Sequence, residues 1–163
     1  MSVAKKSKTF PMTPAGHENL VQELKHLKSE VRPQVIRAIE EARAHGDLSE
    51  NAEYDAAKER QGLVEGRIRE LETKIACCQV IDPSKLSGDK ITFGATVTVL
   101  DCETDKEDVW SIVGEDEADL SKRKLSISSP LARALIGKSV GDVFEWRAPK
   151  GDKEYEVIDV CYG

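Results

Sequence analysis

The chain has 163 residues, of which 33% are charged and only 5% aromatic, and its formal net charge is −6. That length suits one or two small domains and leaves little room for a large enzyme built around a deep pocket. No stretch reaches the ~20 apolar residues needed to cross a bilayer, and the basic start Met1–Lys8 has no apolar run behind it. It therefore reads as a short tail rather than a secretory signal, and the chain is expected to be cytoplasmic.

Charge is distributed unevenly. Residues 1–80 carry 13 Lys and Arg against 13 Asp and Glu, while residues 81–163 carry 11 against 17. An acidic C-terminal half argues against that half gripping a nucleic-acid backbone by counterion release. It suits docking on a basic or apolar protein patch, although acidity also serves plain solubility. The four cysteines, Cys77, Cys78, Cys102 and Cys161, form no C-x-x-C pair and have no histidine at ligand spacing. They are expected to be reduced structural thiols.

Thr13-Pro14 opens the first helix as an N-cap followed by proline at the first helical position. Leu20, Leu24, Leu27, Val31, Val35 and Ile39 then recur every three or four residues, one apolar stripe on a long amphipathic helix. Pro33 interrupts the pattern and is expected to kink the helix or loosen one turn. The helix ends at Ala44-His45-Gly46. A second stripe follows: Ala52, Ala56, Leu63 or Val64, Ile68, Leu71 and Ile75. Reflecting the chain about Leu48 brings the two stripes together within one residue, so an antiparallel helical hairpin satisfies both. Each arm would be about 50 Å long at the α-helical rise, and the hairpin is expected to project.

Near residue 80 the periodicity changes to two. Residues 92–100, 109–113, 142–146 and 154–160 read as strands, and Ser129-Pro130 opens a short helix over 131–136. The expected fold is α+β in two domains. Residues 1–10 form an N-terminal extension, 11–82 a coiled-coil hairpin, and 83–163 an antiparallel sheet with a short helix.

The hairpin turn is the most unusual segment. Asp47, Glu50, Glu53 and Asp55 lie between Gly46 and Ala57 with no basic residue among them. Asp47 and Glu50, three apart, resemble a capping box for the second helix, and acids suit a helix N-terminus. The same two carboxylates could instead complete a metal site whose other ligands belong to a partner, since a Mg²⁺ ion needs six oxygens. Behind the turn, Arg43, Lys58, Arg60 and Arg37 could pair with nearby acids, the preferred reading for Arg60, or Arg43 and Lys58 could touch RNA. No nucleotide-binding motif and no catalytic triad is present.

Four segments carry a resemblance to a known family. Glu41–Lys58 (EARAHGDLSENAEYDAAK) is similar to the signature of the bacterial GreA/GreB transcript-cleavage factors. Residues 91–99, 114–119 (GEDEAD) and 128–137 (SSPLARALIG) resemble the C-terminal domain of that family. Ala56-Ala57, Gln61-Gly62 and Glu65-Gly66-Arg67 lean toward its GreA branch. The resemblance implies a coiled-coil hairpin followed by an FKBP-like domain. It also implies a monomeric factor that enters the secondary channel of backtracked RNA polymerase and stimulates the polymerase's own cleavage of the RNA 3′ end, so the chain is not itself an enzyme. Carried over by motif, Asp47 and Glu50 help hold a Mg²⁺ shared with the polymerase. Arg43 and Lys58 contact the RNA 3′ end, and Ser129 and Pro130 dock on the polymerase rim. Lys58 departs from the arginine common there and loses its bidentate fork. Tyr162-Gly163 has no evident role. Two other readings are a Gre-like inhibitor that plugs the channel, which the two acids disfavour, and a prolyl isomerase, which the few aromatic residues disfavour.

Overall fold

The structure, a computed structural model, describes residues 9–46 and 51–163. Two compact units emerge. One holds the helical hairpin, 17–78, and the other holds the sheet, 79–163, together with the segment Thr9–Gly16. The sequence draws the domain boundary at 82/83; the units divide after Cys78.

In the hairpin unit, α1 (Pro14–His26) runs through a single π turn (Leu27–Val31) into α2 (Arg32–Ala44). Thr13 caps the start of α1, its Oγ1 accepting from the Gly16 N–H at 3.2 Å. The π turn sits directly before Pro33, where Arg32 N–H donates to Leu27 O, five residues back. Proline has no N–H to give and its ring crowds the carbonyl four residues earlier, and a wider turn there relieves both defects without ending the helix. The return helix α3 spans Ala52–Cys77.

The seam is one thin row. Val35, Ile39, Ala57, Val64 and Ile68 are buried, with Leu24, Leu27, Val31 and Tyr54 packed partly against them. Val64, not Leu63, is the inward residue; Leu63 is 70% exposed. Ala52 and Ala56 are exposed as well, because the inward face of α3 runs through Tyr54 and Ala57. Across the seam Arg32 grips Glu65 through two hydrogen bonds of 2.7 and 2.8 Å, within one residue of the reflected register. Toward the start of α1 the ion pairs depart from it in both directions: Glu23 meets Arg67 at 2.8 Å where reflection gives position 73, and Lys28 meets Glu72 at 2.6 Å where it gives position 68, as long side chains reach along the helices.

In the sheet unit, β1 (Phe10–Met12) pairs with β2 (Cys78–Val80). Phe10, assigned by sequence to the N-terminal extension, is thus part of a strand, and Met12 is buried. The main sheet contains β3 (Ala95–Asp101), β4 (Glu107–Val113), β5 (Lys124–Ser126), β6 (Val143–Ala148) and β7 (Gly151–Tyr162), in the order β5-β4-β3-β7-β6. Three pairings are antiparallel, as expected, but β5 runs parallel to β4. β3 alternates as a half-buried strand should, with Ala95, Val97 and Val99 facing the core. The short helix α4 (Pro130–Leu135) seals that core with Leu131, Ala132 and Leu135, beside the fully buried Ile91 and Ile112.

Two long-range ties explain residues of no evident local role. The Tyr162 hydroxyl donates to Lys90 O at 2.6 Å and accepts from the Thr92 N–H at 3.0 Å, pinning the end of β7 to the chain entering β3. The Glu117 carboxylate accepts from the Gly114 and Thr13 N–H groups, both at 3.1 Å, and from the Thr13 hydroxyl. A Cβ on Gly114 would lie 2.7 Å from Pro11 O, so that site requires glycine for close approach, while one on Gly16 would displace the Glu117 side chain.

Candidate functional site

The hairpin turn is built by the facing ends of α2 and α3. α2 ends when Gly46 takes φ 106°, a conformation that glycine adopts without strain. The last turn tightens, with His45 N–H donating to Ala42 O and Gly46 N–H to Arg43 O, both at 3.3 Å. α3 begins at Ala52, and its N-cap is Asn51, whose Oδ1 accepts from the Tyr54 N–H at 3.0 Å. This corrects the capping-box reading: a helix that starts at Ala52 takes its cap from the residue before it, and Asp47 lies too far upstream. Glu53 and Asp55 are the acids of the first turn, where they complement the helix dipole.

Asp47 and Glu50 themselves lie outside the described residues. Arg43 is exposed, and its guanidinium sits 5.9 Å from the centre of the Tyr54 ring, a cation–π contact across the two helix ends. Arg43 makes no ion pair with an acid among the described residues. Lys58, also exposed, donates to Gln61 Oε1 at 3.1 Å along its own helix. Arg60 makes no ion pair with a described residue, contrary to the reading preferred for it. Asn51 and Tyr54, which join the two helix ends, are the residues that sequence reasoning passed over. Their signal was present: an asparagine three residues before the first inward aromatic, followed by acids.

Among the described residues no three His, Cys, Asp or Glu side chains converge as a metal site. Further from the turn, side-chain pairs hold both arms. Hydrogen bonds from Arg32 keep the Glu65 carboxyl below its ordinary range, and those from Arg67 and then Lys74 do the same for Glu70.

The second candidate surface lies on the sheet unit. Ser129 caps α4, its Oγ accepting from the Ala132 N–H at 3.2 Å, and Pro130 occupies the first turn with its ring exposed. The pair is positioned by a short, fully capped helix whose inner face is locked into the core. The Cys102 thiol is pushed above its ordinary pKa, first by desolvation and then by Glu154, Glu156, Asp101 and Asp105. All four cysteines are free.

Comparison with known proteins agrees across both units. Residues 10–80 match the family described as transcription elongation factor, N-terminal, and residues 86–162 match transcription elongation factor, GreA/GreB, C-terminal. The chain is similar to the transcription elongation factor GreA of Maricaulis maris, at 61% identity over 94% of this chain and 98% of the relative. It is similar, at 60% identity with the same coverage, to the GreA of Brucella anthropi. Among solved structures, the GreA factor homolog 1 of Thermus thermophilus aligns at 28% identity with a TM-score of 0.44, over 94% of this chain and 99% of that one.

Proposed function

The chain belongs to the GreA/GreB family of transcription elongation factors, and from that premise we propose that it acts on backtracked bacterial RNA polymerase in the cytoplasm. It enters the secondary channel hairpin-first and stimulates the polymerase's own hydrolysis of the RNA 3′ end. The observation that carries this reading is the cap of α3. Because Asn51 caps that helix, the capping role that competed for Asp47 and Glu50 is already filled, and two acids remain in the connecting segment.

Two carboxylates supply only part of the six-oxygen shell of Mg²⁺, a donor set suited to completing a site begun elsewhere. Asp47 and Glu50 would hold such an ion jointly with the polymerase, and the ion, when bound, activates the attacking water as a Lewis acid. Arg43 and Lys58 are exposed cations beside the turn, and their charge supports a contact with the backbone of the displaced RNA 3′ end. Ser129 and Pro130 form part of the surface that docks on the channel rim. The chain supplies ligands and orientation, and the polymerase supplies the active site, so the factor is an activator rather than an enzyme, and it works as a monomer.

The test is RNA cleavage in halted, backtracked complexes over a Mg²⁺ titration. Wild type should accelerate cleavage, and Asp47→Ala/Glu50→Ala should lose about a hundredfold or more of the stimulation, as expected when preorganised charge stabilisation is removed, while still binding polymerase. Equal loss of binding and cleavage would make the segment structural. A wild type that slows cleavage would identify a channel-plugging relative.

A further inference from the structure

Asn51 makes two bonds that belong to different helices. Its Oδ1 accepts from Tyr54 N–H at 3.0 Å, and its Nδ2 donates to Ala42 O at 2.6 Å. A backbone N–H can only donate and a carbonyl can only accept, so these partners fix the amide orientation. Tyr54 N–H is one of the first-turn donors that α3 leaves without an intrahelical bond, and Ala42 O lies in the last turn of α2, where its other partner is the His45 N–H at 3.3 Å. One side chain therefore bonds to both helix ends and ties them together. Capping alone requires only the acceptor; the donor to Ala42, whose residue is 2% exposed, is additional. A second tie runs beside it, from the Arg43 guanidinium to the Tyr54 ring.

We propose that Asn51 is a positioning residue that clamps the end of α2 to the start of α3, and so fixes the frame from which the segment carrying Asp47 and Glu50 is presented. The proposal rests on the cleavage-stimulating reading above. Closing the chain from position 42 to position 51 removes freedom that an untied turn would otherwise lose when its ligands engage metal, and such prior ordering favours binding.

The discriminating variant is Asn51→Ser, which keeps a capping oxygen but cannot reach Ala42 O, compared with Asn51→Ala, which loses both bonds. The full chain is used throughout. In Asn51→Ser, cleavage stimulation should fall about five- to tenfold, the loss of roughly one hydrogen bond, and the Mg²⁺ concentration for half-maximal stimulation should rise. Polymerase affinity and far-UV helicity should stay at wild-type values. Amide exchange provides a readout independent of cleavage: His45 and Gly46 should exchange faster, while Tyr54 stays protected. Wild-type cleavage, wild-type Mg²⁺ dependence and unchanged exchange at His45 and Gly46 in Asn51→Ser would reduce Asn51 to a cap and overturn the clamp. Loss of polymerase binding in step with cleavage would overturn it too. If wild type itself fails to stimulate cleavage, the functional reading fails, and exchange at His45 and Gly46 alone decides whether the clamp exists.

Discussion

The hairpin unit lines its seam with one row of buried side chains, Val35, Ile39, Ala57, Val64 and Ile68, and flanks it with half-exposed ion pairs. The sheet unit instead closes around Ile91, Val97, Ile112 and Leu135, which are fully buried, under a helix and across five strands. The difference shows what each unit is built to do. A two-helix seam buries little apolar area per residue, so it depends on matched side chains along its length and presents its turn on a narrow support. A layered core buries far more, and it holds the short capped helix α4 by its inner face.

Substitutions of matched size would sharpen that contrast. Leu135→Ala should destabilise the sheet unit by roughly 2–5 kcal/mol, the usual cost of a cavity in a closed core. Ile68→Ala should cost the hairpin about 2 kcal/mol, at the low end, because a thin seam can collapse around the gap. Urea unfolding separates the two units directly. Both tryptophans, Trp110 and Trp146, lie in the sheet unit, while the helical circular dichroism comes chiefly from the hairpin. A Leu135→Ala effect confined to the dichroism would break the comparison.

Gly114→Ala comes next. The added Cβ meets the backbone oxygen of Pro11 at 2.7 Å, so one of the two segments must shift, at a cost of about 1–3 kcal/mol. The tryptophan signal should report that loss.

Acid should separate the units most gently. The Glu65 and Glu70 carboxyls of the hairpin are held below their ordinary pKa by guanidinium hydrogen bonds. Groups lowered on folding contribute stability above their unfolded pKa and lose it as pH falls toward the folded value. The sheet unit follows the same sign through Asp82, Asp101 and Asp119, lowered chiefly by hydrogen bonds within tight turns. Glutamate ordinarily titrates above aspartate, so hairpin helicity should begin to fall near pH 4, above the pH at which tryptophan fluorescence changes. Coincident acid transitions would mean that the two units unfold as one cooperative body.

The stripes of leucine, isoleucine and valine, the caps at Thr13 and Ser129, and the stop at Gly46 depend on contacts within a few residues. Periodicity and spacing therefore state them in the sequence, and the long motif at 41–58 pointed to the family for the same reason. What tertiary structure alone decided depends on residues brought together from afar. β5 lies parallel to β4, Glu117 reaches back to Thr13, and Tyr162 closes on Lys90 and Thr92. Such partners are chosen by the geometry of the folded chain. A hydrogen bond spanning seventy or a hundred positions leaves no periodic trace in the sequence.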